Sequence, residues 1–388
     1  MRNKKTATIS VRTGIESDSQ HNAVVPPIYL STNYSFPEFG DVPEYDYARS
    51  GNPTRTQLET ALAKLESGAG AVVTNCGMAA LNLLVSAKLG PDDLIVAPHD
   101  CYGGTYRLFD SRARKGDFNT LFIDQSDPIA LEKTLALKPA LILLETPSNP
   151  LLRVVDITDI CQKAKLIGAQ VAVDNTFLSP VLQQPLTLGA DFVIHSTTKY
   201  INGHSDVVGG VIIAKDETDA TDLAWWGNCI GSTGTAFDSY LTLRGIRTLS
   251  ARMRVHEENS MEILECLKNQ SLVGTIYHPS LPEHPGHEIA KRQQSGFGAM
   301  LSFELNGSLE RLKVFVSALQ LFSLAESLGG VESLIAHPGS MTHRAMSDEA
   351  QAEAGLNPTL LRLSVGIEDS RDLIEDLEQA FIKAAEVA

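Results

Sequence analysis

Apolar residues recur along this chain with two spacings. From Thr54, the stretch TRTQLETALAKLE sets Leu58, Leu62 and Leu65 on one face of a helix. After it, short continuous runs of Val, Ile and Leu alternate with helical patterns. AVVT (71–74), LIVAP (94–98), TLFID (120–124), ALILLE (140–145), QVAVD (170–174), FVIHS (192–196) and VVGGVIIA (207–214) predict strands. MAALNLLVSAKL, GTYRLFDSRARK, PIALEKTLAL and ITDICQKAKLIG predict the helices between them. Strands that lack polar alternation are buried on both faces, so the pattern predicts an α/β fold with a mostly parallel central sheet covered on both sides. The first 55 residues differ: Pro26, Pro27, Pro37 and Pro43 interrupt a polar, Tyr-rich stretch that is expected to be irregular and to lie across a neighbouring element or subunit. Near residue 250 the rhythm changes again. The helical RVHEENSMEILECLKN leads to a Pro- and His-rich loop (278–288), a strand MLSFEL (300–305), a helix from Leu309, a strand LRLSVGIE (361–368) and a terminal amphipathic helix. The expected organisation is an N-terminal segment 1–55, an α/β domain 56–250 and a smaller α+β domain 251–388.

Composition narrows the function classes. The 388 residues carry 32 Lys plus Arg against 47 Asp plus Glu, a net charge of −15, which repels nucleic acid and anionic membrane surfaces. No apolar run approaches the roughly 20 residues needed to span a bilayer. The basic start MRNKKTATISVRTG lacks the apolar core of a secretory signal. The five cysteines (Cys76, Cys101, Cys161, Cys229, Cys266) are scattered and never in C-x-x-C spacing, which suits reduced thiols rather than a disulfide frame or zinc site. A cytoplasmic location is the expectation. A small anionic substrate stays allowed, since it needs only a local cluster of Arg.

In open α/β sheets ligands bind beyond the carboxyl ends of the strands. There the sequence offers Gly77-Met78 opening a helix after AVVT, Tyr102 after LIVAP, and Asn149 after ALILLE. Asp174 closes QVAVD, and Ser196, Thr198 and Lys199 follow FVIH. Taken singly, each has an ordinary structural role: a surface lysine, a turn aspartate, a helix-opening glycine. Together they are the inventory that pyridoxal phosphate requires: a lysine amine for the Schiff base and an acid opposite the pyridinium nitrogen. Helix-start N–H groups and hydroxyls suit its phosphate, and an aromatic face suits its ring. Other chemistries fail on specific residues. Gly68-Ala69-Gly70 lacks the third glycine of a dinucleotide loop, His287-Glu288-Ile289-Ala290-Lys291 has lysine where H-E-x-x-H needs histidine, and Gly203-His204-Ser205-Asp206-Val207 lacks the closing glycine of G-x-S-x-G. His284 and His287 are expected in a loop, and no metal site is expected. A non-catalytic protein that merely retains phosphate binding is the alternative from a different class.

The run from Asp191 to Ser205, DFVIHSTTKYINGHS, resembles the lysine signature of the Cys/Met-metabolism pyridoxal-phosphate enzymes throughout. Tyr47-Ala-Arg49-Ser-Gly-Asn-Pro-Thr54 is similar to the family's Y-x-R-x-G-N-P-T, and VAPHDCYGGTYRLFD, ETPSNPLLRVVDI, VDNTFLSP, WWGNCIG, FDSYLTLRGIRTL and AESLGGVESLI extend the likeness over essentially the whole chain. The resemblance implies a fold-type I transferase and a homotetramer built from two dimers. It implies that Lys199 carries the cofactor, Asp174 pairs with the pyridinium and Tyr102 stacks on the ring. Gly77, Met78, Ser196 and Thr198 would hold the phosphate, and Tyr47 and Arg49 would complete the neighbouring subunit's phosphate site. Arg362 matches the arginine for the substrate α-carboxylate, with Asn149 and Ser327 near cofactor and carboxylate. Asp46, Arg49, Arg107 and Glu326 would recognise the distal groups of the substrates. Cys76 departs from the usual Ser or Thr, with little consequence expected because its neighbours act through backbone amides. The activity implied first is γ-replacement of the acyl group of O-succinylhomoserine by cysteine. Cystathionine cleavage, O-acylhomoserine sulfhydrylation and methionine γ-elimination are the alternatives within the family.

Overall fold

A computed structural model describes residues 4–342 and 354–387. Seven strands form the main sheet: β1 (Gly70–Thr74), β2 (Leu94–Pro98), β3 (Asn119–Ile123), β4 (Leu141–Glu145), β5 (Gln170–Asp174), β6 (Phe192–His195) and β7 (Gly210–Ala214), in the order β1-β7-β6-β5-β4-β2-β3. The pairs β2–β3, β2–β4, β4–β5 and β5–β6 are parallel, while β7 is antiparallel to both β6 and β1. The sheet is therefore mixed. Because β7 alone is reversed, strands β1 to β6 all present their carboxyl ends at one edge.

Both faces are covered. Leu58, Leu62 and Leu65 of the helix Pro53–Glu66 and Ile157 and Ile160 of the helix Ile157–Ile167 pack against Val173, Val193 and Ile213 on one face. Leu81 and Leu84 of the helix Gly77–Lys88, with Phe109 and Phe118, cover Phe192, Ile194 and Ile212 on the other. Side chains of one strand alternate between these two cores, which is why the strands read as continuous apolar runs.

A second sheet, β8 (Val273–Tyr277), β9 (Met300–Leu305), β10 (Ser323–Leu324), β11 (Leu334–Ala336) and β12 (Leu360–Ser364), has the order β10-β11-β12-β9-β8. The helices Leu249–Lys268, Leu309–Ala318 and Ser370–Ala385 close its core around Phe303, Phe315 and Phe381. The long helix also ties the two sheets together. Arg252 donates to the carbonyls of Tyr200, Ile201 and Gly245, and His256 Nδ1 donates to the Val365 carbonyl at 2.7 Å.

The structure corrects several expected elements. Strand β7 begins at Gly210 rather than 207, because the Thr198 hydroxyl engages both the N–H and the carbonyl of Gly209. Strand β12 stops at Ser364, after which backbone N–H groups turn to Ala299, the Ser333 hydroxyl and Val331. A helix, Thr6–Arg12, stands in the irregular N-terminal stretch, with Ile9 packed on the main core. His287 opens a short helix, His287–Gln293, instead of lying in a loop. Among the described residues, no helix is long and apolar enough to cross a membrane.

Candidate active site

A cavity of about 560 Å³ opens at the shared carboxyl edge, between the main sheet and the second one. Its lining includes Gly77, Met78, Tyr102, Arg107, Asn149, Asp174, Ser196, Thr198, Lys199, Glu326, Ser327 and Arg362. One concave surface thus gathers residues from the ends of five strands and from the second sheet.

The lysine end is built around Ser327. Lys199 lies in the turn after β6, and its Nζ donates to Ser327 Oγ at 2.7 Å. Ser327 has φ +94°, a left-handed conformation that costs a non-glycine residue of order 1–3 kcal/mol. That conformation lets its hydroxyl meet Lys199 while its carbonyl accepts from Arg362 Nη2 at 2.8 Å. Burial, followed by the positive charge of Arg362, lowers the Lys199 amine to about 8, with Glu326 opposing the shift. Arg362 lies in β12, is itself buried, and donates from Nη1 to Asn149 Oδ1 at 2.9 Å. Its Nε is buried with no hydrogen-bond partner. A buried guanidinium with an unmatched donor beside an open cavity suits a carboxylate ligand.

Asp174 supplies the acid end. It closes β5 and accepts from the Thr176 N–H at 3.0 Å. Burial raises its carboxyl pKa, opposed by Thr176 hydrogen bonds and by His195. Glu145 closes β4 in direct register with Asp174, and its carboxyl is raised well above the ordinary range by burial and then by Asp174. Two acids with only partial compensation suit a cationic ring nitrogen.

The third end is the start of the helix Gly77–Lys88. The first N–H groups of a helix have no partner within it and point to an anion. The approach there is tight: a Cβ at Gly77 would lie 3.0 Å from Ser196 Cβ, and one at Gly210 would lie 2.2 Å from the Cys76 carbonyl oxygen. Cys76 caps the helix, its Sγ accepting from the Ala79 N–H at 3.3 Å. An amine, an acid pair and an anion cradle around one cavity fit pyridoxal phosphate.

Asp46, Tyr47 and Arg49 do not reach this cavity within the chain. They lie on the exposed N-terminal segment, where Asp46 accepts from the Tyr47 N–H and the Ser50 hydroxyl, and Arg49 donates to the Asn228 carbonyl at 2.9 Å. Sequence reasoning missed Glu145, Thr176 and Phe177, which also line the cavity. Glu145 carries a signal in hindsight, an acid closing an otherwise apolar strand just before Thr146-Pro147-Ser148-Asn149. Thr176 and Phe177 carry none beyond their position after Asp174.

Comparison with known proteins gives the family. Cystathionine gamma-synthase of Escherichia coli (strain K12) is 60% identical over 378 residues, covering 97% of this chain and 98% of that protein. Cystathionine gamma-lyase of Bacillus subtilis (strain 168) is 43% identical over 376 residues, covering 97% and 99%. The crystal structure of cystathionine gamma synthase from Xanthomonas oryzae pv. oryzae in complex with cystathionine superposes with a TM-score of 0.98 at 55% identity, covering 99% of this chain and 100% of that one. The family profile of Cys/Met metabolism PLP-dependent enzymes matches residues 7–382. With this fold, this site and these relatives, the chain belongs to the Cys/Met metabolism PLP-dependent enzymes.

Proposed function

We propose that this chain replaces the succinyl group of O-succinylhomoserine with cysteine, giving cystathionine and succinate. The observation that carries the reading is the convergence of Lys199, Asp174 and Arg362 on one cavity, in a chain 60% identical to a cystathionine gamma-synthase. When bound, pyridoxal phosphate supplies an electron-withdrawing ring that stabilises the carbanion left by loss of the substrate α-proton. Gly77, Met78, Ser196 and Thr198 hold its phosphate, Asp174 keeps its ring nitrogen protonated and Tyr102 covers its face.

The chain's own groups then position the substrate and move protons. Arg362, braced by Asn149 and Ser327, binds the α-carboxylate. Lys199 removes the α-proton. At an ordinary lysine pKa of about 10.4 under 1% of the amine is a free base at pH 8, whereas the lowered value makes about half of it available. Lys199, helped by Tyr102, next moves a proton from the β-carbon so that succinate leaves the γ-carbon. The cysteine thiolate adds there, and return of the protons completes cystathionine. Arg107 and the partner subunit's Arg49 hold the distal carboxylate of the ester, and Glu326 holds the ammonium of incoming cysteine. Asp46 of the partner subunit joins Arg49 in recognising the distal groups of the substrates. The working unit is a homotetramer in the cytoplasm, in which Tyr47 and Arg49 of the partner subunit complete each site. The exposed side chains of Tyr29, Leu30, Phe36, Phe39 and Val42 on the N-terminal segment support that assembly.

The test is a product assay. Purified protein receives O-succinyl- or O-acetylhomoserine with cysteine or sulfide, and products are identified by mass. Cystathionine formed fastest from the succinyl ester and cysteine is the expected result. Cystathionine cleavage with no synthesis from either ester would overturn the proposal.

A further inference from the structure

Glu145 and Asp174 end neighbouring parallel strands as register partners, so their side chains enter the same cavity from the same face of the sheet. Only 8% of Glu145 is exposed, and a buried carboxylate beside another acid needs compensation. The compensation comes from Tyr102. Its backbone N–H donates to both Glu145 oxygens, at 3.0 and 3.2 Å, and the Thr105 hydroxyl donates to Oε1 at 3.4 Å. Tyr102 is the N-cap of the helix Gly103–Arg114, so the carboxylate also meets the positive end of that helix. The Tyr102 ring lies over Gly104 on another side. A Cβ on Gly104 would lie 2.5 Å from the ring's Cε1 and 2.8 Å from Met78 Sδ, so the ring occupies space that any other residue at 104 would fill.

We propose that Glu145 is the positioning residue for Tyr102: its carboxyl group pins the Tyr102 backbone to the strand pair that carries Asp174, so one buried unit sets both the face contact and the ring-nitrogen contact of the cofactor. This rests on the reading that Tyr102 covers the cofactor ring.

Two conservative substitutions separate position from charge. Glu145→Gln keeps an oxygen for the Tyr102 N–H and removes the charge beside Asp174. Glu145→Asp keeps the charge and withdraws it by one methylene, about 1.5 Å. The readouts are visible-region circular dichroism of pyridoxal phosphate in the reconstituted holoenzymes and titration of the cofactor-free proteins with pyridoxal phosphate. Glu145→Asp is expected to lose about half of the visible signal and to bind the cofactor about tenfold more weakly, the effect of one lost buried hydrogen bond, with Glu145→Gln within about twofold of the parent. The reverse pattern overturns the proposal in favour of a charge role. Equal effects of the two substitutions, in the spectra or only in thermal stability, overturn it as well. Tyr102→Ala is the control. If its spectrum matches the parent, the stacking reading and this proposal fall together; if it changes while Glu145→Asp does not, this proposal falls alone.

Discussion

Lys199 owes its reactivity to its surroundings. Its amine is held to Ser327 and its proton affinity is lowered to about 8 by burial and by Arg362. The neutral amine is the nucleophile, so covalent uptake of pyridoxal phosphate by the cofactor-free protein should speed up about tenfold per pH unit below that value and level off above it. Stopped-flow absorbance between pH 6.5 and 9.5 measures this, and a rate flat across the interval contradicts the assigned environment. Lys199, Asp174 and Arg362 are legible in the sequence because an amine, one acid and a guanidinium in or near the ends of apolar runs are the groups the chemistry requires, and a second acid has no place in that inventory. Glu145 is hidden for a physical reason. An acid ending a strand looks like any turn residue until sheet order sets it beside Asp174, and that pairing depends on tertiary contacts. The environment of Ser327 is equally hidden, because no propensity favours a serine at φ +94°.

Among the elements, the helix Gly77–Lys88 and the strand β7 approach each other closely. Gly210 opens β7 opposite Thr74, and a side chain there would strike the Cys76 carbonyl and the Gly77 nitrogen, 2.2 and 2.6 Å away. Both are backbone atoms and cannot swing aside. Gly210→Ala should therefore displace the helix start, weaken pyridoxal-phosphate binding at least about tenfold and destabilise the fold by about 1–3 kcal/mol. Equilibrium dialysis and urea unfolding check the two effects, and parent-like values in both contradict the tight approach. The strand and helix periods are readable from the chain because burial on two faces imposes them. The ends of β7 and β12 are not, because there side-chain hydroxyls of Thr198 and Ser333 take over backbone partners from the ladder.

For the whole molecule, two buried histidines link stability to pH. His256 bridges the long helix to the strand end after β12, and His278 follows β8; burial lowers both to about 4. An unfolded histidine takes its proton near pH 6.5. Between that pH and about 4 each of these two sites holds more protons in the unfolded chain than in the folded one, so its contribution to stability falls as pH drops, at up to about 1.4 kcal/mol per pH unit for each histidine, while the raised carboxyls of Glu145 and Asp174 work in the opposite sense. Replacing both histidines with glutamine should therefore shift the pH dependence of the urea midpoint, so that between pH 7 and pH 5 the variant loses less stability than the parent. The same change in midpoint for parent and variant contradicts this. Net charge belongs to this scale too: at −15 the exterior is negative, while the cavity concentrates Arg107, Lys199 and Arg362 for anionic ligands. The most direct test of the central claim, that protons moved by Lys199 exchange succinate for cysteine, is the reaction of O-succinylhomoserine with cysteine in D₂O, with the product analysed by mass spectrometry and NMR. The account predicts cystathionine carrying deuterium at both the α- and β-carbons, and no product from Lys199→Ala. Cystathionine without deuterium at those carbons, or normal turnover by Lys199→Ala, would contradict it.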